Sequence, residues 1–578
     1  MYSTSFPMKI FHLLKSKSLR TFLVSWVLIF QIGFSPNALG ASNSLKKRDG
    51  SSASRDKDIS SAKDSEKSDD TDDSKISVTE HSVIINGKKV NYRATAGYMF
   101  LKDYQPAPKK NSGASASDDD KGSSAKKDSD KGEHKKKARV FFIAYEVVGS
   151  DQADRRPVSF SFNGGPGSAS VWLHMGALGP KKAVLTSAGE APPPPYRLEE
   201  NPYSWLDKTD LVFIDPVSTG FSRSEPDEDP KNYHGYKADI ESVGEFIRLY
   251  LTKYDRWQSP KFIVGESYGT TRAAGLSNYL QNRYSIYLNG IVLVSSVLNF
   301  ANLDFAPGND LPFVMFLPSY AATAWYHKKL PPDLQGKSLE AVLKEAEEFA
   351  SNDYLSALHE GDTISDERKR SISRRLAGLI GLDPDYVAQL NYRVSADLYF
   401  NHLLMNSNRK IGRFDSRYTG LRYFPGTERY DYDPSFEAVS GPFTATFNHY
   451  VKNELQFESE LPYEILADVN PWKYNRAKNR YLNVAEDLRK AMTRNPYLKV
   501  LICSGYYDLA TPYFASKKTI NHMYLDPSVR DNVSHCFYKS GHMMYVKEDS
   551  LKQFKSDFAE FLDGAILPST SAIPTTTR

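Results

Sequence analysis

One stretch limits the folds open to this chain more than any other: Lys261-Phe-Ile-Val-Gly-Glu-Ser-Tyr-Gly-Thr-Thr-Arg-Ala-Ala-Gly-Leu-Ser-Asn-Tyr-Leu280. Lys261 to Val264 is a short, mostly apolar run between Pro260 and Gly265, the mark of a buried strand. From Thr270 onward Ala273, Ala274, Leu276, Ser277 and Leu280 recur at helical spacing, so a strand feeds directly into a helix. Ser267 stands at the joint, flanked by Gly265 and Gly269. Gly-x-Ser-x-Gly in that setting describes a strained turn that lifts a hydroxyl above the sheet, with a helix N-terminus behind it to favour negative charge. An ordinary glycine-rich strand-to-helix turn would look the same. The decision rests on whether a base, an acid and an oxyanion site occur elsewhere.

At 578 residues the chain exceeds one average domain, which predicts a large domain with an insertion, or two domains. Its 74 Lys and Arg nearly balance 70 Asp and Glu, so no charge excess marks a nucleic-acid protein. Cys503 and Cys536 are the only cysteines, too few for a disulfide framework or a Cys-based zinc site. They admit one bridge between neighbouring strands, with two buried free thiols the favoured reading. No metal constellation is visible and no cofactor is implied. Residues 1–40 read as a signal peptide: Lys9, Lys15, Lys17 and Arg20 precede an apolar run from Thr21 to Phe34, with small residues at Ala38 to Gly40. The run is shorter than the ~20 residues a membrane span needs. The expectation is a secreted or periplasmic protein with no stable membrane anchor.

Residues 41–75 form a Ser/Asp/Lys-rich linker expected to be disordered, and residues 106–137 repeat that composition as a loop insertion. Asn86-Gly87 between Val83-Ile-Ile85 and Val90-Asn-Tyr92 predicts a hairpin. Tyr98 to Leu101 and Arg139 to Val148 predict two further strands. Pro157 to Phe162 is another, running into Asn163-Gly-Gly-Pro-Gly-Ser-Ala-Ser170, whose glycines allow backbone N–H groups to face a ligand, as an oxyanion loop requires. Asp210 to Ile214 is a core strand, and Tyr236 to Tyr250 is a helix with Ile240, Val243, Phe246, Ile247 and Tyr250 on one face. With Leu288 to Val297, the elbow completes a parallel strand–helix–strand unit. Residues 76–299 are thus the first part of an α/β core, 300–495 a largely helical lid, 496–565 the second part of the core, and 566–578 a disordered tail.

In the α/β-hydrolase fold the nucleophile, acid and histidine follow one another in the chain, each just past the end of a strand. Lys499 to Ser504 leads into Gly505-Tyr-Tyr-Asp508, and Val533 to Tyr538 leads into Lys539-Ser-Gly-His542. Ser267 would attack, His542 would serve as base, and Asp508 would hold the imidazolium. Asp526 and His535 compete for these roles but do not follow strands at the right remove.

Asn163-Gly-Gly-Pro-Gly, Asn201-Pro-Tyr-Ser-Trp205, Asp215-Pro-Val-Ser-Thr-Gly-Phe-Ser222, Gly265-Glu-Ser-Tyr268, Asp508 and Gly541-His-Met543 together resemble the serine carboxypeptidases, in order. The resemblance implies an α/β-hydrolase that releases C-terminal residues from peptides or proteins. It implies oxyanion donors at the N–H groups of Gly165 and Tyr268, and recognition of the substrate carboxylate by Asn163 and Glu266. A proton shared between Glu266 and that carboxylate implies an acidic optimum. The chain departs from the family at Ser168, where a cysteine is usual, and at Gly269, one place earlier than the usual glycine. An esterase or acyltransferase on the same scaffold, and a non-catalytic surface protein, are the competing expectations. Oligomeric state and side-chain preference are not legible.

Overall fold

The computed structural model describes residues 75–102, 135–149, 155–425, 431–474 and 477–566. The expected signal peptide, the linker up to residue 74, most of the low-complexity loop and the tail from 567 lie outside them.

The sheet begins with β1 (Ile76–Ile85) and β2 (Lys88–Lys102), antiparallel and joined at Asn86-Gly87. Both turn residues have positive φ, 51° and 74°, the conformation a two-residue hairpin loop needs and Asn-Gly tolerates. Tyr98 to Leu101 is the far end of β2, and a separate strand does not form there. Ala94 to Gly97 bridges the two apolar stretches with small side chains, and at Gly97 a Cβ would come within 2.9 Å of Ile76 and Lys75. Next come β3 (Lys136–Val147), β4 (Val158–Phe162), β5 (Asp210–Ile214), β6 (Lys261–Glu266), β7 (Gly290–Val294), β8 (Lys499–Gly505) and β9 (Val533–Tyr538). Their spatial order is β1, β2, β3, β5, β4, β6, β7, β8, β9. The first four are joined antiparallel and every later pairing is parallel. This is the mostly parallel sheet of an α/β-hydrolase.

Alternation along the central strands sends neighbours to opposite faces. Phe262, Val264, Val292 and Leu501 join one apolar cluster, while Ile263, Ile291, Leu293 and Ile502 join another. The second face is covered by α1 (Tyr236–Lys253) and α2 (Tyr268–Tyr284), which follows the elbow. A third group of helices, α3 (Leu311–Tyr326), α4 (Leu339–Phe349) and α5 (Asp366–Ile380), shares an apolar cluster that extends to Ile411 and takes in Val297, Leu509 and Ala515 from outside the region. The remaining long helices of the 300–495 region pack elsewhere. α6 (Pro434–Asn453) places Phe443, Phe447 and Tyr450 against the first face, and α7 (Ala485–Arg494) places Leu488 and Met492 against the second. The helices of the 300–495 region are thus divided among different apolar clusters.

α8 (Tyr513–Asn521) follows the loop after β8, and α9 (Glu548–Ala565) closes the first face. There Phe558 stacks on Trp205 with ring centroids 3.4 Å apart and planes 6° from parallel. Both rings are buried, so truncating Phe558 to alanine should cost about 3–5 kcal/mol. Cys503 and Cys536 face each other in register on β8 and β9, both as free thiols. Burial pushes the Cys536 thiol up to about 12 and holds Cys503 well above its ordinary value, so neither is an activated nucleophile. Among the described residues, no helix is long and apolar enough to cross a membrane.

Candidate active site

Ser267 lies between β6 and α2 with φ 60° and ψ −129°, a strained region that L-residues enter only when their surroundings enforce it. The enforcement is steric. A Cβ on Gly265 would lie 2.3 Å from the Gly269 carbonyl oxygen, and one on Gly269 would lie 2.9 Å from that of Phe162. The shifted glycine at 269 is thus what lets α2 approach the end of β4. Gly164 is held just as closely, its hypothetical Cβ 2.4 Å from the Tyr268 nitrogen, so the 163–167 loop is seated directly on the elbow. Gly165 and Gly167 both take φ +100°. Neither the Gly165 nor the Tyr268 amide is used in a hydrogen bond among the described residues, which leaves two backbone donors beside the serine.

Beneath the loop, Arg272 of α2 donates to the Asn163 carbonyl oxygen at 2.7 Å and to both oxygens of Asp239 at 2.9 and 3.0 Å. Arg272 and Asp239 are both buried. Ser168, which replaces the usual cysteine, accepts from Trp172 Nε1 at 2.9 Å and bridges to Leu466, so hydrogen bonds anchor the loop at this point.

Asp508 and His542 leave the ends of β8 and β9 and meet, with Nδ1 2.8 Å from Asp508 Oδ2. Asp508 is held by the backbone amides of Ala510 and Thr511 at 2.8 and 2.9 Å and by the Thr511 hydroxyl at 2.7 Å. Burial disfavours the charged imidazolium, but the Asp508 carboxylate, backed by Glu266, more than offsets it and raises the His542 pKa. The His542 amide donates to the Phe414 carbonyl oxygen at 2.6 Å, and the Leu509 amide donates to that of Arg413 at 3.0 Å. One stretch from the helical insertion thus braces both loops. No hydrogen bond joins Ser267 Oγ to His542 among the described residues, a looser arrangement that sites without substrate commonly keep.

Glu266 is buried beside the elbow, and burial drives its pKa up to about 7, eased by His542, Tyr545 and Asn163. The Tyr545 hydroxyl donates to Glu266 Oε2 at 2.6 Å. Asn163 spends its Oδ1 on the Leu173 amide at 3.0 Å, and its buried Nδ2 closes no hydrogen bond of its own. An amide donor and a carboxyl near neutrality therefore stand together next to Ser267. The two competitors are elsewhere: Asp526 caps a short helix through the Ser528 amide, and His535 bonds Ser504 at 3.0 Å, burial lowering its pKa to about 3. Tyr545, Thr511 and Phe414 were not legible from sequence. A tyrosine three residues after His542 is one of 36 in the chain and carries no signal of its own.

Residues 130–555 match the family described as serine carboxypeptidase. The chain belongs to that family. Among curated relatives, Serine carboxypeptidase-like 36 of Arabidopsis thaliana is 30% identical over 169 residues, 28% of this chain and 33% of that protein. Serine carboxypeptidase-like 33 of the same plant is 27% identical over 150 residues, 25% of this chain and 29% of that one. Carboxypeptidase Y homolog A of Paracoccidioides lutzii is 30% identical over 132 residues, 22% and 21% of the two chains. The alignments thus span a third or less of these relatives. Among solved structures, Kex1(delta)p, a prohormone-processing carboxypeptidase from Saccharomyces cerevisiae, aligns over 82% of this serine carboxypeptidase family member and 91% of its own chain, at 16% identity and a TM-score of 0.46.

Proposed function

We propose that the chain is a serine-type carboxypeptidase that releases C-terminal amino acids from peptides. Ser267 Oγ attacks the last peptide carbonyl while His542 takes its proton, Asp508 holding the imidazolium. The Gly165 and Tyr268 amides bind the oxyanion. His542 then protonates the leaving amine, the C-terminal residue departs, and water resolves the acyl-enzyme by the same steps in reverse roles. The observation that carries this reading is Glu266 beside Asn163 Nδ2, a carboxyl near neutrality paired with an uncommitted donor. An acid next to the nucleophile would hinder most acyl chemistry, but it suits a substrate that itself ends in a carboxylate and shares the proton. Binding is strongest while Glu266 is protonated, so the optimum lies on the acid side of about 7.

Acyl transfer to an acceptor other than water, or ester hydrolysis, is the second reading. It is favoured by Tyr545, which already occupies one oxygen of Glu266. The helical insertion from α3 onward acts as a lid, and export through residues 1–40 places the enzyme outside the cytoplasm. The test is hydrolysis of an N-blocked dipeptide against its C-terminal amide, with Ser267→Ala as control. Cleavage of the free acid alone, lost in the variant, is the expected result. Equal cleavage of both, or of simple esters only, transfers the assignment to the second reading. Failure of an active-site phosphonate to label Ser267 would leave a non-catalytic surface protein.

A further inference from the structure

Beside the triad stands a cation that nothing in the mechanism uses. Arg413 precedes Phe414, whose ring packs against the His542 imidazole with centroids 5.0 Å apart and whose carbonyl braces the His542 amide. The Arg413 guanidinium lies 5.2 Å from the centre of that same ring and is half-buried. Other buried arginines nearby are neutralised, Arg272 by Asp239 and Arg417 by Asp415. Arg413 makes no ion pair and no side-chain hydrogen bond among the described residues. Its backbone amide bonds Asp433 Oδ1 at 3.1 Å, yet Asp433 Oδ2 has no partner, so the guanidinium does not fold back onto that carboxylate. A cation here also works against the imidazolium of His542, a cost the site bears in its resting state.

The surroundings indicate which part of a substrate would meet this charge. From Phe414 an aromatic wall continues to Phe436 at 6.3 Å and from there to Trp172 at 5.8 Å. Trp172 is bonded to Ser168 on the oxyanion loop, and the Leu173 amide after it holds Asn163 Oδ1. The wall therefore runs from the histidine that protonates the leaving amine to the asparagine assigned to the terminal carboxylate. That is the side of the departing residue. Resting on the carboxypeptidase reading, we propose that this wall and Arg413 form the pocket for the side chain of the released residue, and that Arg413 selects an acidic one, aspartate or glutamate. The guanidinium offers a two-pronged donor suited to a carboxylate, while the phenyl rings cover the methylene stem.

The experiment uses the full-length enzyme and N-blocked dipeptides that share one acyl residue and end in Glu, its neutral isostere Gln, or Lys. The wild type is expected to favour Glu over Gln by about 10- to 100-fold in kcat/KM, mostly through KM. Arg413→Gln should erase that ratio, any shift from the charge it removes near His542 being common to Glu and Gln release, and Arg413→Glu should turn the preference toward Lys. Melting temperatures of both variants control for folding. A uniform loss for all three substrates would overturn the proposal, since it would mean that Arg413 holds the terminal carboxylate or supports His542. An unchanged Glu/Gln ratio, or an acidic preference that tracks the acyl residue, would overturn it equally. If the wild type cleaves esters but none of these free acids, the carboxypeptidase reading falls and the pocket falls with it; cleavage without an acidic preference removes the pocket alone.

Discussion

Removing the Tyr545 hydroxyl should improve substrate binding at alkaline pH. The hydroxyl donates to Glu266 Oε2 at 2.6 Å and lowers a pKa that burial has raised to about 7. Hydrogen bonds to charged groups contribute about 1.5–3 kcal/mol, and the neutral acid keeps part of that bond, so the difference amounts to about 1 pKa unit. In Tyr545→Phe the Glu266 pKa should therefore rise from about 7 to about 8. At pH 8 the protonated fraction would go from about one-tenth to about one-half, an affinity gain of about 5-fold, with little change near pH 5. The assay is the Ki of an uncleavable N-blocked amino acid across that range, which separates binding from the titration of His542. Glu266→Gln should show no alkaline limb at all. If the limb in Tyr545→Phe stays in place or moves to lower pH, Glu266 does not bind the substrate carboxylate through a shared proton.

Two further outcomes follow from buried charge. Arg272→Met should destabilise the protein by about 3–5 kcal/mol in denaturant titration by stranding Asp239, and adding Asp239→Asn should restore much of it; no rescue would mean that packing, not charge, is lost. Asp215 is held by burial at about 7, above its ordinary 3.8, so the stability it contributes is present at low pH and lost as pH rises through that window. Asp215→Asn should accordingly melt higher than wild type at about pH 8 and alike at about pH 4, and a lower melting temperature at both would refute the sign.

The elbow was readable because its requirement is local. Only glycine fits at 265 and 269, the first against the start of α2 and the second against the end of β4. The hairpin at Asn86 was readable for the same reason. The middle of β2 was not, since Ala94 to Gly97 pair with β1 through backbone and small side chains rather than through an apolar pattern. Reading residues 300–495 as one helical lid took in α6 and α7, and helical character does not tell what a helix packs against. Tyr545 meets Glu266 across 279 residues of chain, and Arg413 and Phe414 reach the triad from within the insertion. No spacing rule spans such distances. The motif residues were legible, and the groups that tune them were set by tertiary packing.

The stretch that braces the catalytic loops divides its labour by atom type. Its main chain is committed: the carbonyls of Arg413 and Phe414 hold the Asp508 and His542 loops, and the Ser416 amide bonds the Tyr507 carbonyl at 3.0 Å. A truncation or graft that removes this stretch would unfasten the Asp508 and His542 loops, so the insertion cannot be exchanged as a module. Among the side chains, Arg417 shares that duty through the Lys539 carbonyl at 3.0 Å and the Ser540 hydroxyl at 3.2 Å, whereas the Arg413 guanidinium does not. Substitution at Arg413 would therefore alter the proposed pocket while leaving its main-chain brace to the Asp508 loop in place.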